Sequence, residues 1–162
     1  METILDSGHT WFLECVTQFP DGKLVIRLAE GLKGSEKQPV NVGEKVIGEF
    51  FPVTVEPTSR VAEVRFADCL VLLAYNESYD TSDETLVTSD KGKLRRVEQS
   101  TFQTFVGQST NAITLGNQPL GEFRLWTENQ VFQVFASGSP EVELLSQQPD
   151  PSIERYNTWY AG

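Results

Sequence analysis

The stretch that decides the fold is Trp11-Phe12-Leu13-Glu14-Cys15-Val16-Thr17-Gln18-Phe19-Pro20-Asp21-Gly22-Lys23-Leu24-Val25-Ile26-Arg27-Leu28. Trp11, Leu13, Cys15 and Phe19 share one face at period two, with Glu14 and Gln18 on the other, the pattern of a half-buried strand. Pro20-Asp21-Gly22-Lys23 has turn chemistry, with Gly22 placed for a positive φ. Leu24, Ile26 and Leu28 then resume the alternation, with Arg27 facing out. The sequence predicts a β-hairpin here.

Working outward, residues 30–44 are rich in Gly, Lys, Glu, Asn and Pro and read as a loop, with Gly31, Gly34 and Gly43 as breakers. A second β region runs over 46–55 and ends before Pro57. Residues 60–66 alternate again, and Cys69-Leu70-Val71-Leu72-Leu73-Ala74-Tyr75 is apolar on both faces. Such a run reads as a central strand covered on each side. Residues 60–76 are expected to form one long strand, or two with a bulge near Asp68. Residues 76–92 form an acidic excursion with a short edge strand at 85–88.

Ser100-Thr101-Phe102-Gln103 is a capping-box pattern. Phe102, Phe105 and Val106 follow at helical spacing, which predicts a helix over 100–109 whose phenylalanines dock on a sheet. Strands are expected at 122–128, 131–136 and 142–145. Pro149 and Pro151 then break regular structure. The expected organisation is a single β-rich domain over 1–146 and a Pro-broken tail over 147–162. The fold class is α+β, predominantly antiparallel: a β-sandwich or open barrel with one short helix packed on a sheet. Too few helices are present for βαβ crossovers.

At 162 residues the chain fits one domain with enough apolar material for a core. Its 23 acids against 13 bases give a net charge of −10. That balance disfavours a phosphate-binding surface, so no nucleic-acid partner is expected. It suits a basic partner. His9 is the one histidine, which leaves no multi-histidine metal site and no triad away from the N-terminus. Cys15 and Cys69 form no CxxC pair and read as reduced, buried core thiols. The longest apolar run is far below the roughly 20 residues needed to span a bilayer. A cytoplasmic protein without membrane contact is expected.

No Walker loop, Rossmann glycine fingerprint, HExxH or GxSxG occurs. Glu77, Asp80, Asp83 and Glu84 lack the grammar of a calcium loop. No metal, cofactor or catalytic residue is assigned, and the chain is read as a non-enzyme. The aromatics are the ambiguous set: Trp11, Trp126, Trp159, Tyr75, Tyr79, Tyr156 and Tyr160 serve a core, a sugar-binding face or a protein interface. Trp126 shares a strand face with Glu122, Arg124 and Glu128, while Phe123 and Leu125 point the other way. It is therefore expected to be largely exposed beside carboxylates.

Leu94-Arg95-Arg96-Val97, Ser100-Thr101-Phe102-Gln103-Thr104-Phe105-Val106, the stretch from Phe123 through Trp126 to Ala136, and the upstream Ala74-Tyr75-Asn76-Glu77-Ser78-Tyr79 form an ordered pattern. Over roughly residues 60–143 this resembles a group of uncharacterised small bacterial proteins. In that group an Asn-Glu-Ser-aromatic segment precedes a Ser-capped helix and a closing hairpin. The spacer at 111–121, with Gly116, Pro119 and Gly121, departs from the pattern. Some members look like companions of toxin systems, which implies a bacterial origin and an immunity or interaction role.

The expected function is thus an acidic protein-binding domain, with a toxin-neutralising immunity protein as its specific form. The alternative is a ligand- or carbohydrate-binding β-domain using exposed aromatics. The expected contact residues are Trp126, Glu122, Glu128, Tyr79, Glu77 and Asp80, because a partner needs apolar anchors beside the charges that steer it.

Overall fold

A computed structural model describes residues 2–155 and 158–161. In chain order the strands are β1 (Thr10–Gln18), β2 (Leu24–Lys33), β3 (Gln38–Val42), β4 (Lys45–Thr54), β5 (Val61–Phe66), β6 (Asp68–Asn76), β7 (Val87–Thr88) and β8 (Leu94–Gln99). Helices α1 (Thr101–Ser109) and α2 (Ala112–Leu115) follow, then β9 (Leu120–Trp126), β10 (Gln130–Ser137), β11 (Glu141–Leu145) and β12 (Thr158–Tyr160). The first sheet runs β11-β5-β2-β4-β12, with β1 added to β2 and β3 to β4. The second runs β6-β10-β9-β8-β7. Every pairing among the described residues is antiparallel, and neither sheet closes into a barrel. The mostly antiparallel α+β class is therefore as expected.

The opening hairpin forms where predicted, with Gly22 at φ 91° in its turn. Leu24, Ile26, Leu28, Ala62, Val64 and Phe66 of the first sheet share one buried cluster with Phe123, Leu125, Phe132 and Val134 of the second. Trp11 joins this core, and its indole N–H donates to the Leu5 carbonyl at 2.8 Å, so burying the ring leaves no orphan donor.

Two inserted residues redirect side chains that period-two counting misplaces. In the β1–β2 ladder Leu13 faces Leu28 and Cys15 faces Arg27, so Glu14 is the extra residue of a bulge. The bulge turns Cys15 to the Arg27 side, where it is exposed rather than buried; Phe19 is also partly exposed. Cys69 is buried as expected, and both thiols are free. Burial pushes the Cys69 thiol up to about 11.

In the β6–β10 ladder Phe135 faces Val71 and Ala136 faces Cys69, so Leu70 is the second insertion. Cys69 and Leu72 pack in the inter-sheet core, while Leu70 and Val71 pack under the helices with Phe102, Val106 and Phe135. Both faces of β6 are covered there, which is why its sequence is apolar throughout. It is nevertheless an edge strand, not a central one. Residues 60–76 form two strands, the second of the expected alternatives, but they are separated by a change of sheet at Ala67 rather than by a bulge near Asp68.

Three further strands lie outside the expected set. β2 continues to Lys33 and β3 covers 38–42, inside the predicted loop. Gly31 is no breaker: a Cβ there would lie 2.6 Å from the Phe12 ring and 2.8 Å from Val53, so the position needs glycine for close packing. β8 hides because its buried residues, Leu94 and Val97, are three apart and face opposite sides. β12 pairs with β4 near the chain end. Ahead of it, Asp150 N–H and the Arg155 guanidinium both reach the Glu14 carboxylate, at 2.8 and 2.5 Å, so this part of the tail is docked on β1. Tyr156 lies outside the described residues.

Helix α1 starts at the Ser100 cap, whose Oγ accepts from Gln103 N–H at 3.0 Å. The expected reciprocal bond is absent; Gln103 instead donates to the Val97 carbonyl at 3.0 Å. Asp83 supplies the remaining cap, accepting from the Thr101 N–H and hydroxyl at 2.8 and 2.9 Å. Although burial pushes the Asp83 carboxyl up, the bonds from Thr101 and Thr85 prevail and hold it below the ordinary aspartate range. Phe102 and Val106 are the buried face, and Phe105 is half exposed. Phe102→Ala is therefore expected to cost about 3–5 kcal/mol, and Phe105→Ala about 1 kcal/mol or less, in chemical denaturation.

Candidate functional site

The outer face of the second sheet is divided along its strands. At one end α1 covers Phe135 and Val71. The other end carries Tyr75 of β6, Gln133 of β10, Arg124 and Trp126 of β9 and Arg95 of β8, with the short 3-10 turn Glu77–Tyr79 bordering it. The register brings these together: Val131 faces both Tyr75 and Trp126, and Arg124 faces both Gln133 and Arg95.

Asp80, in the loop that follows β6, is the centre of this cluster. Its Oδ1 accepts from Tyr75 OH at 2.6 Å, and its Oδ2 accepts from Trp126 Nε1 at 3.3 Å. Arg124 Nη2 lies 3.7 Å from Oδ1 and donates to Tyr75 OH at 2.9 Å. Gln133 Nε2 donates to the same hydroxyl at 3.0 Å. Burial, and then the hydrogen bond to Asp80, push the Tyr75 phenol up, against Arg124 and Gln133. The Arg95 and Arg124 guanidinium carbons lie 4.6 and 5.1 Å from the Trp126 ring centroid, within cation–π range.

The six expected contact residues meet different fates. Trp126 is half-buried rather than largely exposed, and its neighbours are two arginines as well as Asp80. Glu122 has no exposed surface. It lies beneath the start of α1, where Ser100 Oγ–H donates to it, so it has no surface to offer a partner. Pattern counting put it on the outer face correctly but had no way to see that α1 covers that end. Glu128 is half-buried and accepts from Thr10 Oγ1. Asp80 is committed to Tyr75, Trp126 and Arg124 and acts as a positioning group. Glu77 is exposed, and Tyr79 is 80% exposed.

Trp126, Glu77 and Glu128 line one open cleft with Glu2, Asp6, Asp90, Lys91, Lys93 and Arg95. The lining holds five carboxylates against three cationic side chains. Tyr75, Arg124, Gln133 and Arg95 are the members outside the expected contact residues. For Arg124 and Gln133 the signal was a polar residue interrupting an apolar strand, between Phe123 and Leu125 and between Phe132 and Val134. Among the described residues no group of histidine, cysteine or carboxylate side chains has the geometry to hold a metal. No helix among them is long and apolar enough to cross a membrane. No protein-family model, curated protein or solved structure matches the chain.

Glu122 gives the region a pH signature. Burial pushes its carboxyl up, and the Ser100 hydroxyl and Arg124 oppose this only in part. A carboxyl with a raised folded-state pKa adds stability below the ordinary glutamate value of about 4.3, and that stability is lost as pH rises through the raised value. Glu122→Gln keeps an acceptor for Ser100 and cannot ionise. The variant should gain stability relative to the parent as pH rises from about 4 to neutrality, read as the difference between their denaturation midpoints. A pH-independent difference would contradict this.

Proposed function

We propose that this chain is a protein-binding domain whose open second-sheet face receives a basic protein. The observation that carries the reading is the placement of exposed Tyr79 next to Asp80, which itself holds half-exposed Trp126, with Glu77 and Glu128 bordering the same cleft. Aromatic anchors beside charges that steer a partner are what a protein interface requires. The internal ion pairs sharpen the charge argument. Arg27, Arg60, Arg65, Arg124 and Arg155 all pair with carboxylates of the chain itself, so these five cations offer little to an outside anion.

In its specific form the reading is a bacterial immunity protein that neutralises a basic toxin, as the sequence resemblance implies. Two free cysteines agree with a reducing, cytoplasmic setting. The two sheets sharing one apolar cluster support a β-sandwich over an open barrel. The rival reading, a sugar- or ligand-binding β-domain, calls for several aromatics converging on a concave pocket. Among the described residues that line the cleft, Trp126 is the aromatic one.

The test is a photo-crosslinking amino acid placed at position 79 of the full chain in its host cells. The reading expects an adduct with a protein of high pI, weakened by salt and reduced roughly thirtyfold or more by Trp126→Ala, the hot-spot scale of about 2 kcal/mol. An adduct insensitive to both, or none, would overturn it.

A further inference from the structure

The two sheets meet along one flank without pairing. There β1 forms the edge of the first sheet beside β2, and β6 the edge of the second beside β10. The two edges are tied at both ends. At one end Cys69 N–H donates to the Gly22 carbonyl at 2.7 Å. At the other, Asn129 accepts from Leu13 N–H through its side chain at 2.8 Å and from Glu77 N–H through its carbonyl at 3.0 Å. Between these ties, residues 15–18 pair only with β2 and residues 70–75 only with β10.

An edge strand turns every second residue's N–H and C=O outward, and natural edges are usually guarded by charge or proline. Here a bulge interrupts the β6 edge at Leu70, but charge and proline are missing from the rest of it. No charged residue and no proline occurs at 15–18 or 69–75, in a chain of net charge −10. Leu73 is 43% exposed and Val16 37%, and Ala74 is exposed as well.

We infer that the β6 edge accepts an added strand: an extended segment of the partner, apolar in its middle and basic at both ends. This rests on the reading above and specifies how the partner docks. Charge selects the occupant. Asp68 and Asp21 lie at one end of the flank, with Lys23 held over the Phe19 ring, and exposed Glu77 lies at the other. A second copy added antiparallel about Leu72 would set Asp68 of each chain beside the Asn76-Glu77 end of the other, acid near acid at both ends. A segment with basic ends meets both acidic termini, and its main chain satisfies the outward groups of β6.

The experiment titrates the full chain with a short synthetic peptide of alternating valine and threonine flanked by lysines, and follows backbone amide exchange. The expected result is slowed exchange at alternate residues of 70–75. N-methylating one alternate set of peptide amides should weaken binding at least ~10-fold, while methylating the other set changes it little. Glutamate flanks should weaken it by a similar factor at low salt. No slowing at 70–75, or equal loss from both methylated sets, overturns the inference. So does a dimer in sedimentation whose β6 amides are already protected. An adduct at position 79 that depends on Trp126, with β6 unprotected, would sink the strand addition alone. Peptide pairing on β6 without a basic adduct at position 79 would sink the wider reading instead.

Discussion

The structure depends on one four-residue turn, Thr127-Glu128-Asn129-Gln130, which links the two sheets. The Thr127 hydroxyl closes the turn, donating to the Gln130 carbonyl and accepting from Gln130 N–H, each at 2.9 Å. The turn then bonds outside itself, and the Glu128 carboxylate takes the Thr10 hydroxyl. Glu128 N–H donates to the Trp11 carbonyl at 2.9 Å, and Asn129 takes the Leu13 and Glu77 amides. The edge of β1, the β9–β10 hairpin and the loop carrying Tyr79 and Asp80 are thereby fixed to one another. Hydrophobic burial between the sheets has no direction of its own. Directional bonds at this turn supply the alignment and bring Asp80 within reach of Trp126.

Acidic residues serve two separate purposes in this arrangement. Some are structural: Asp83 caps α1, Glu14 anchors the segment before β12, Glu63 lies between Arg27 and Arg65, and Glu122 is buried beneath Ser100. Others, Glu77 among them, remain at the surface. A net charge read from composition cannot separate the two sets. The separation matters for function, because only surface charge steers a partner. Trp126 shows the same lesson in reverse: two arginines and one aspartate fix its indole, and a fixed ring loses less conformational entropy on binding than a free one.

Much of the fold was legible in the sequence, for identifiable reasons. The β1–β2 hairpin announced itself through alternation and the Pro20–Gly22 turn, and α1 through Ser100 and the spacing of Phe102 and Val106. Failures followed from single-residue events that periodicity cannot register. Glu14 and Leu70 are insertions that shift every later side chain to the opposite face. Gly31 resembles a breaker and is a packing requirement. β6 looks central because its two faces are covered, yet coverage of faces says nothing about who sits beside the strand. At the candidate site the face of Trp126 was readable from its i±2 neighbours. The convergence of Tyr75, Asp80 and Arg124 was not, since it arises from register across three strands and a loop.

The central claim, that the 127–130 turn joins the sheets and sets the site, is tested most directly by amide exchange and near-UV circular dichroism on Asn129→Ala. The account predicts faster exchange at Leu13, an altered Trp126 signal and a stability loss of about 1–3 kcal/mol, the scale for orphaning a buried donor. The β9–β10 ladder amides should keep their protection. Unchanged protection of Leu13 together with an unchanged tryptophan spectrum would contradict the account.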